Sequence, residues 1–264
     1  MTYDPDCGHH RGADGTPKGF NQPQGVGDAP STLLDGLRNW WKFDDDGTWT
    51  DSISEEEYFT EVNSPGTVTG KINYGIGTHG SSAPHLTSAD VDLRIPSNGN
   101  TDWTLASWIL PVSSGYGGSG GRTFAIWDTQ FNFGMLTESS GNFPWMNGNI
   151  GGSWVNTDIS GTAAAEIPDD TWGLCFWQFS AESGGSSVFT VRTIISGTER
   201  SASGSHSGTV AAPGTGYSMK IGFINSSYKA GADMDMMGIW TRHLTADERL
   251  ELFNGGTGLD HPFS

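Results

Sequence analysis

Apolar positions in this chain mostly alternate with polar ones instead of recurring every three or four residues. In DWTLASWILP, Trp103, Leu105, Ser107 and Ile109 point one way, and Thr104, Ala106, Trp108 and Leu110 the other. Both sets are largely apolar, which predicts a central strand buried on both faces, with Pro111 at its end. LRNWWKFDD, near Leu37 to Asp45, places Trp41 and Phe43 on one face of a half-buried strand. Further strands are predicted at YFTEVN (Tyr58 to Asn63), GKINYGI, VDLRIP, WGLCFWQFS, SVFTVRTIIS, YSMKIGFIN and MDMMGIWTR, with RTFAIWD and FNFGMLT as a hairpin. In YSMKIGFIN, Met219, Ile221 and Phe223 share a face. Gly, Ser, Thr, Asn and Asp crowd the gaps. Many short strands joined by such turns read as an all-β sandwich or barrel.

One segment follows the helical period. Thr245 opens TADERLELFNGG, and Glu248 follows three residues later. That spacing predicts a capping box, in which hydroxyl and carboxylate each satisfy an orphan backbone N–H. Leu250 and Phe253 are expected to share the buried face, and Gly255 and Gly256 to end the helix. So short a helix depends on packing for its stability.

Composition narrows the function classes. The chain has 264 residues and a formal charge of −17. An all-β chain of this length can form one domain and bury about 70–75% of its unfolded surface. The negative charge argues against nucleic acid and against an anionic membrane surface as partners. No run approaches the roughly 20 apolar residues that span a bilayer. Cys175, inside LCFWQF, reads as a small buried hydrophobe. Cys7, His9 and His10 cluster near the start, one ligand short of the four a structural zinc normally takes. MTYDPDCGHHRGADG lacks the basic start and apolar stretch of a secretory signal. Residues 1–30, rich in Gly, Pro, Asp and Gln, form a separate segment without a core pattern. The expected division is an extended anchoring arm at 1–30 and one β domain at 31–264.

Three stretches in order carry a family resemblance. WWKFDDDGTWTDS resembles an opening strand in which an aromatic is followed by Phe-Asp and then Asp-Ser. DWTLASWILP resembles the central strand, and MDMMGIWTRHLTADERLELFNGG the closing strand and helix, with Arg242, Leu244, Thr245, Glu248 and Asn254 in pattern. Together they resemble the laminin-G-like, concanavalin-A-like lectin/glucanase superfamily over about residues 33–256. The resemblance implies a two-sheet antiparallel jelly-roll sandwich with a short C-terminal helix. The ending GTGLDHPF is similar to tails of such domains in bacteriophage and environmental viral proteins.

The superfamily contains glucanases, so acid pairs matter. A retaining glycosidase needs two carboxylates about 5–5.5 Å apart, an inverting one about 6.5–9.5 Å. Glu55 with Glu57, and Asp233 with Asp235, alternate onto shared faces, but neither pair has a third acid on a clear cleft strand. No nucleophile elbow or phosphate loop is present, and His243 reads as a capping or packing residue. These readings predict a non-enzymatic protein. The resemblance also admits a structural calcium. Asp44, Asp46 and Asp51 surround the first turn and Asp233 lies near the last strand, although turn formation explains the same residues. GNFPWMNGNIGGSWVNTD has the composition of a glycan site, with Trp145, Asn147 and Trp154 as its candidates beside Asn149. The alternative is that both tryptophans are core residues of short strands.

The expected function is a virion structural protein, a capsid decoration or tail component that displays a lectin-like domain at the virion surface. Its partners would be other virion proteins, held through residues 1–30, and cell-surface glycans, in a homo-oligomer or larger assembly. The rival expectation is a secreted bacterial adhesin or carbohydrate-binding module, which would be extracellular.

Overall fold

The computed structural model describes residues 31–263 apart from 45–48, 56–58, 79–83, 89–100, 113–120, 123–130, 139–140, 151, 160–165, 183–184, 209–218, 226–227 and 230. In chain order the strands are β1 Leu37–Trp41, β2 Thr60–Val62, β3 Gly66–Thr69, β4 Tyr74–Gly77, β5 His85–Ser88, β6 Trp103–Pro111, β7 Gly121–Arg122, β8 Phe131–Glu138 and β9 Gly141–Ile150. They continue as β10 Ser153–Asp158, β11 Gly173–Glu182, β12 Ser186–Ile195, β13 Thr198–Ser207, β14 Met219–Ile221, β15 Phe223–Asn225, β16 Tyr228–Lys229 and β17 Ala232–Trp240. Helix α1, Ala246–Phe253, closes the fold.

One layer is an eight-stranded sheet ordered β13-β12-β11-β6-β17-β4-β3, with β1 also paired to β17. The other contains a four-stranded sheet, β10-β9-β8-β7, and a three-stranded sheet, β14-β5-β2. This is the expected antiparallel jelly-roll sandwich with a C-terminal helix. The main core lies between the layers and includes Trp41, Trp103, Trp177, Phe179, Phe189 and Met234. Each large apolar side chain so enclosed contributes roughly 1.5–3 kcal/mol. The Trp177 indole also donates to the Trp145 carbonyl at 2.9 Å, a polar tie across the layers.

A second core covers the outside of the large sheet. Trp40, Trp108, Phe176 and Trp240 pack there with Leu252, Phe253 and Phe263. That cover explains why DWTLASWILP is apolar on both faces: β6 pairs with β11 and β17, and every side chain but Leu110 is buried. Cys175 is fully buried, and burial pushes its thiol far above the ordinary range.

The helix end is built as its sequence predicts. The Thr245 side chain accepts from Glu248 N, and the Glu248 carboxylate accepts from Thr245 N at 2.8 Å. Arg242 adds a fork onto Glu248 at 2.8 and 2.7 Å and donates to the carbonyls of Thr32, Asp35 and His243. Burial alone would raise Glu248, but the bonds from Arg242, Thr32 and Thr245 prevail and hold its carboxyl at about 2. Asn254, at φ 46°, takes the left-handed C-cap and donates to Gly258 O.

Four expectations change. The buried face of α1 is Glu248, Arg249, Leu252 and Phe253, whereas Leu250 is 47% exposed. Positions i, i+1, i+4 and i+5 share one helical face, and Arg249 occupies it because Glu199 neutralises it at 2.7 and 3.0 Å. The opening strand stops at Trp41. Phe43, at φ 61°, turns the chain out of the sheet while its ring stays in the main core. YSMKIGFIN breaks at Gly222, φ 96°, so β14 and β15 join different sheets. The polar stretch TERSASGSHS is strand β13, a position the alternation of apolar residues could not mark because it forms the edge of the large sheet. VDLRIP, most of RTFAIWD and the segment 1–30 lie outside the described residues.

Candidate functional site

Strands β9 and β10 form a hairpin on the second layer, and their register sorts its residues cleanly. Val155 and Thr157 face inward, toward the core and β13, with Thr157 Oγ1 at 3.2 Å from His206 Nε2. Trp154, Asn156 and Asp158 alternate with them and face outward. Their cross-strand partners are Asn149, Asn147 and Trp145 respectively. Backbone register also sets Asn132 of β8 opposite Asn147, so asparagines occupy one row across three strands.

The three predicted glycan residues therefore share one face but differ in exposure. Trp154 is 48% exposed and presents an indole to solvent. Asn147 is half-buried, and its Oδ1 is enclosed without a hydrogen-bond partner. Trp145 is 2% exposed, so its ring packs instead of offering a flat surface. Asn156 Nδ2 donates to Asp158 Oδ2 at 2.9 Å, which orients that carboxylate along the row. Sequence reasoning missed Asn156 and Asp158. The alternation in SWVNTD could have found them, since both fall in phase with Trp154. The face offers what a sugar needs: an apolar plane for ring C–H groups, and amide and carboxylate atoms for hydroxyls.

Asp233 and Asp235, one of the two acid pairs, are both buried in β17. Glu55 is exposed, at φ 59°, and Glu57 lies outside the described residues. Asp235 is fully buried where β17 bulges between Asp235 and Met237. Its Oδ2 accepts from Ile72 N at 2.7 Å, while its Oδ1 has no hydrogen-bond partner. Burial, with Asp44 adding to it, raises the Asp235 carboxyl to about 8 despite the Ile72 bond. A neutral, enclosed carboxyl of this kind serves packing against the β3–β4 turn. His243 packs as expected, its Nε2 at 2.8 Å from Phe179 O and 3.1 Å from Ser180 Oγ.

The described calcium candidates are engaged in turns and strands, with Asp44 and Asp51 bordering one open pocket. Asp51 is fully buried and accepts from Asn39 Nδ2, Trp40 N, Ile53 N, and both Ser54 N and Oγ, so its oxygens organise the first turn. Asp44 accepts from Tyr74 N and Asn73 Nδ2, Asp233 is a strand residue of β17, and Asp46 lies outside the described residues. Among the described residues no group of three His, Cys, Asp or Glu side chains is placed to hold a metal. Cys7, His9 and His10 lie outside them.

No protein-family model and no curated protein sequence matches the chain. Solved structures do match in fold. The binding domain of Paraclostridial Mosquitocidal Protein 1 superposes with a TM-score of 0.60 at 13% identity, over 84% of this chain and 52% of that one. The binding domain of Botulinum Neurotoxin DC in complex with SialylT gives 0.58 at 11%, over 83% and 51%. The receptor binding domain of botulinum neurotoxin D gives 0.58 at 8%, over 84% and 53%. The chain spans about half the length of these structures. At such identities the likeness establishes a shared β-sandwich fold.

Proposed function

We propose that this protein is a non-catalytic, laminin-G-like glycan-binding domain that reads its ligand on the outer face of β9 and β10. The observation that carries the proposal is the exposed Trp154 indole in register with Asn149, beside the Asn147–Asn156 row. Solved structures with this fold include toxin domains described as binding domains, which supports a recognition role. The test is a glycan array with the intact protein, followed by Trp154→Ala. Removing the stacking aromatic is expected to cost roughly 0.5–1.5 kcal/mol, a loss of about two- to tenfold in affinity. Unchanged binding by the variant would move the site elsewhere.

The finer reading places the domain on a virion, as a decoration or tail component held by residues 1–30 and by other virion proteins. It is supported by the composition of that segment and by the likeness of the ending GTGLDHPF to viral tails. Deleting residues 1–30 is expected to abolish incorporation into particles while leaving glycan binding intact. A protein found in the culture supernatant free of particles supports the secreted-adhesin reading instead.

A further inference from the structure

Outside the large sheet, on the layer opposite β9 and β10, three turns converge on an open cleft of about 580 Å³. That size lies within the range of small-ligand sites. Each turn contains left-handed residues: Asp170 at φ 57° before β11, Ser196 and Gly197 at 49° and 79° between β12 and β13, and Gly255 and Gly256 at 61° and 93° after α1. The floor is Trp108, stacked on Phe253 with centroids 5.7 Å apart, and Lys71 holds its ammonium 4.9 Å from the Trp108 ring centre. Half-buried Trp172 forms one wall.

The cleft's chemistry is mixed and close to neutral. Lys71 supplies donors, Asp170 acceptors, and Thr171 and Ser196 hydroxyls that do both. The Lys71 charge already faces the Trp108 ring, an environment that stabilises a cation. A ligand anion would meet the Asp170 carboxylate and a chain of net charge −17. We infer that this cleft is a second ligand site, independent of β9 and β10, that takes a neutral saccharide, with sugar hydroxyls bonding to Asp170, Thr171, Ser196 and Lys71 beside the Trp172 ring.

The experiment titrates the intact protein with glucose-, galactose- and mannose-based tetrasaccharides and a glucuronate tetrasaccharide, following tryptophan fluorescence and calorimetry. At least one neutral tetrasaccharide is expected to bind, with an affinity unchanged between low and high salt. Trp172→Ala should weaken it about tenfold or more and Lys71→Met several-fold, with Trp154→Ala without effect. Lys71→Met keeps the aliphatic stem over Trp108, so it reports on the ammonium even if Trp172→Ala unfolds. Binding of none of the neutral sugars, binding indifferent to Lys71→Met and Trp172→Ala, or tighter salt-sensitive binding of the glucuronate would each overturn the inference. Loss of this binding in Trp154→Ala would place the sugar on β9 and β10 instead.

Discussion

Single residues carry most of the polar accounting in this sandwich, and Asp235 shows it best. Its carboxyl stays protonated in the folded protein up to about pH 8, whereas in the unfolded chain it ionises near 3.8. The stability it contributes is therefore fully present below pH 3.8 and is lost as pH rises through 8. Asp235→Asn keeps a neutral group of the same shape without that titration. Urea unfolding at pH 5, 7 and 9 should show the variant gaining on the parent protein at each step. Parallel pH profiles would contradict the assignment. Asp51 has the opposite character, since its oxygens receive five donors. Asp51→Ala removes the acceptor of the buried Asn39 amide and Trp40 N–H, while the exposed Ile53 and Ser54 donors turn to water, and a loss of about 1–3 kcal/mol is expected in chemical denaturation.

At the scale of elements, the closing helix was the most legible part of the sequence. Its capping box follows from local spacing, whereas Arg242 and Asn254 stood out only through the family resemblance, and the left-handed cap falls on Asn254, one residue before the expected glycines. Its inward face did not, because tertiary contact with Glu199 allows Arg249 to sit where periodicity placed Leu250. Leu250→Ala should change stability by less than about 0.5 kcal/mol, and Leu252→Ala should cost about 2–5 kcal/mol. Thr245→Ala, which removes half of the capping box, should cost about 1 kcal/mol. Strands were legible where their apolar residues alternate, as in β6, β11 and β12. They were not legible in β3 and β13, which end the large sheet and carry polar or small residues because solvent covers much of them. The proposed glycan face was half legible: composition pointed to Trp145, Asn147 and Trp154, and pairing of β9 with β10 puts all three on one face, but only tertiary cover separates the exposed indole from the buried one.

Across the whole molecule, each layer of the sandwich carries one of the two proposed sites, and the C-terminal end of the domain packs onto β1 and the segment after it. Phe263 meets Trp40 edge-on at 5.0 Å, and Asp260 pairs with Lys42 at 2.9 Å. The GTGLDHPF ending is thus part of the second core as well as the segment that resembles viral tails. Phe263→Ala should destabilise the domain by about 3–5 kcal/mol although it touches neither proposed site. Glycan binding at temperatures where the variant stays folded should be unchanged.

The proposed glycan site on β9 and β10 works through Trp154 and the asparagine row. It is tested most directly by following side-chain resonances in ¹⁵N–¹H spectra while titrating the best glycan from the array. The Trp154 indole and the Asn147 and Asn156 amides are expected to shift together, with one dissociation constant that matches calorimetry. Shifts confined to other tryptophans, with those three groups unmoved at saturation, would contradict it.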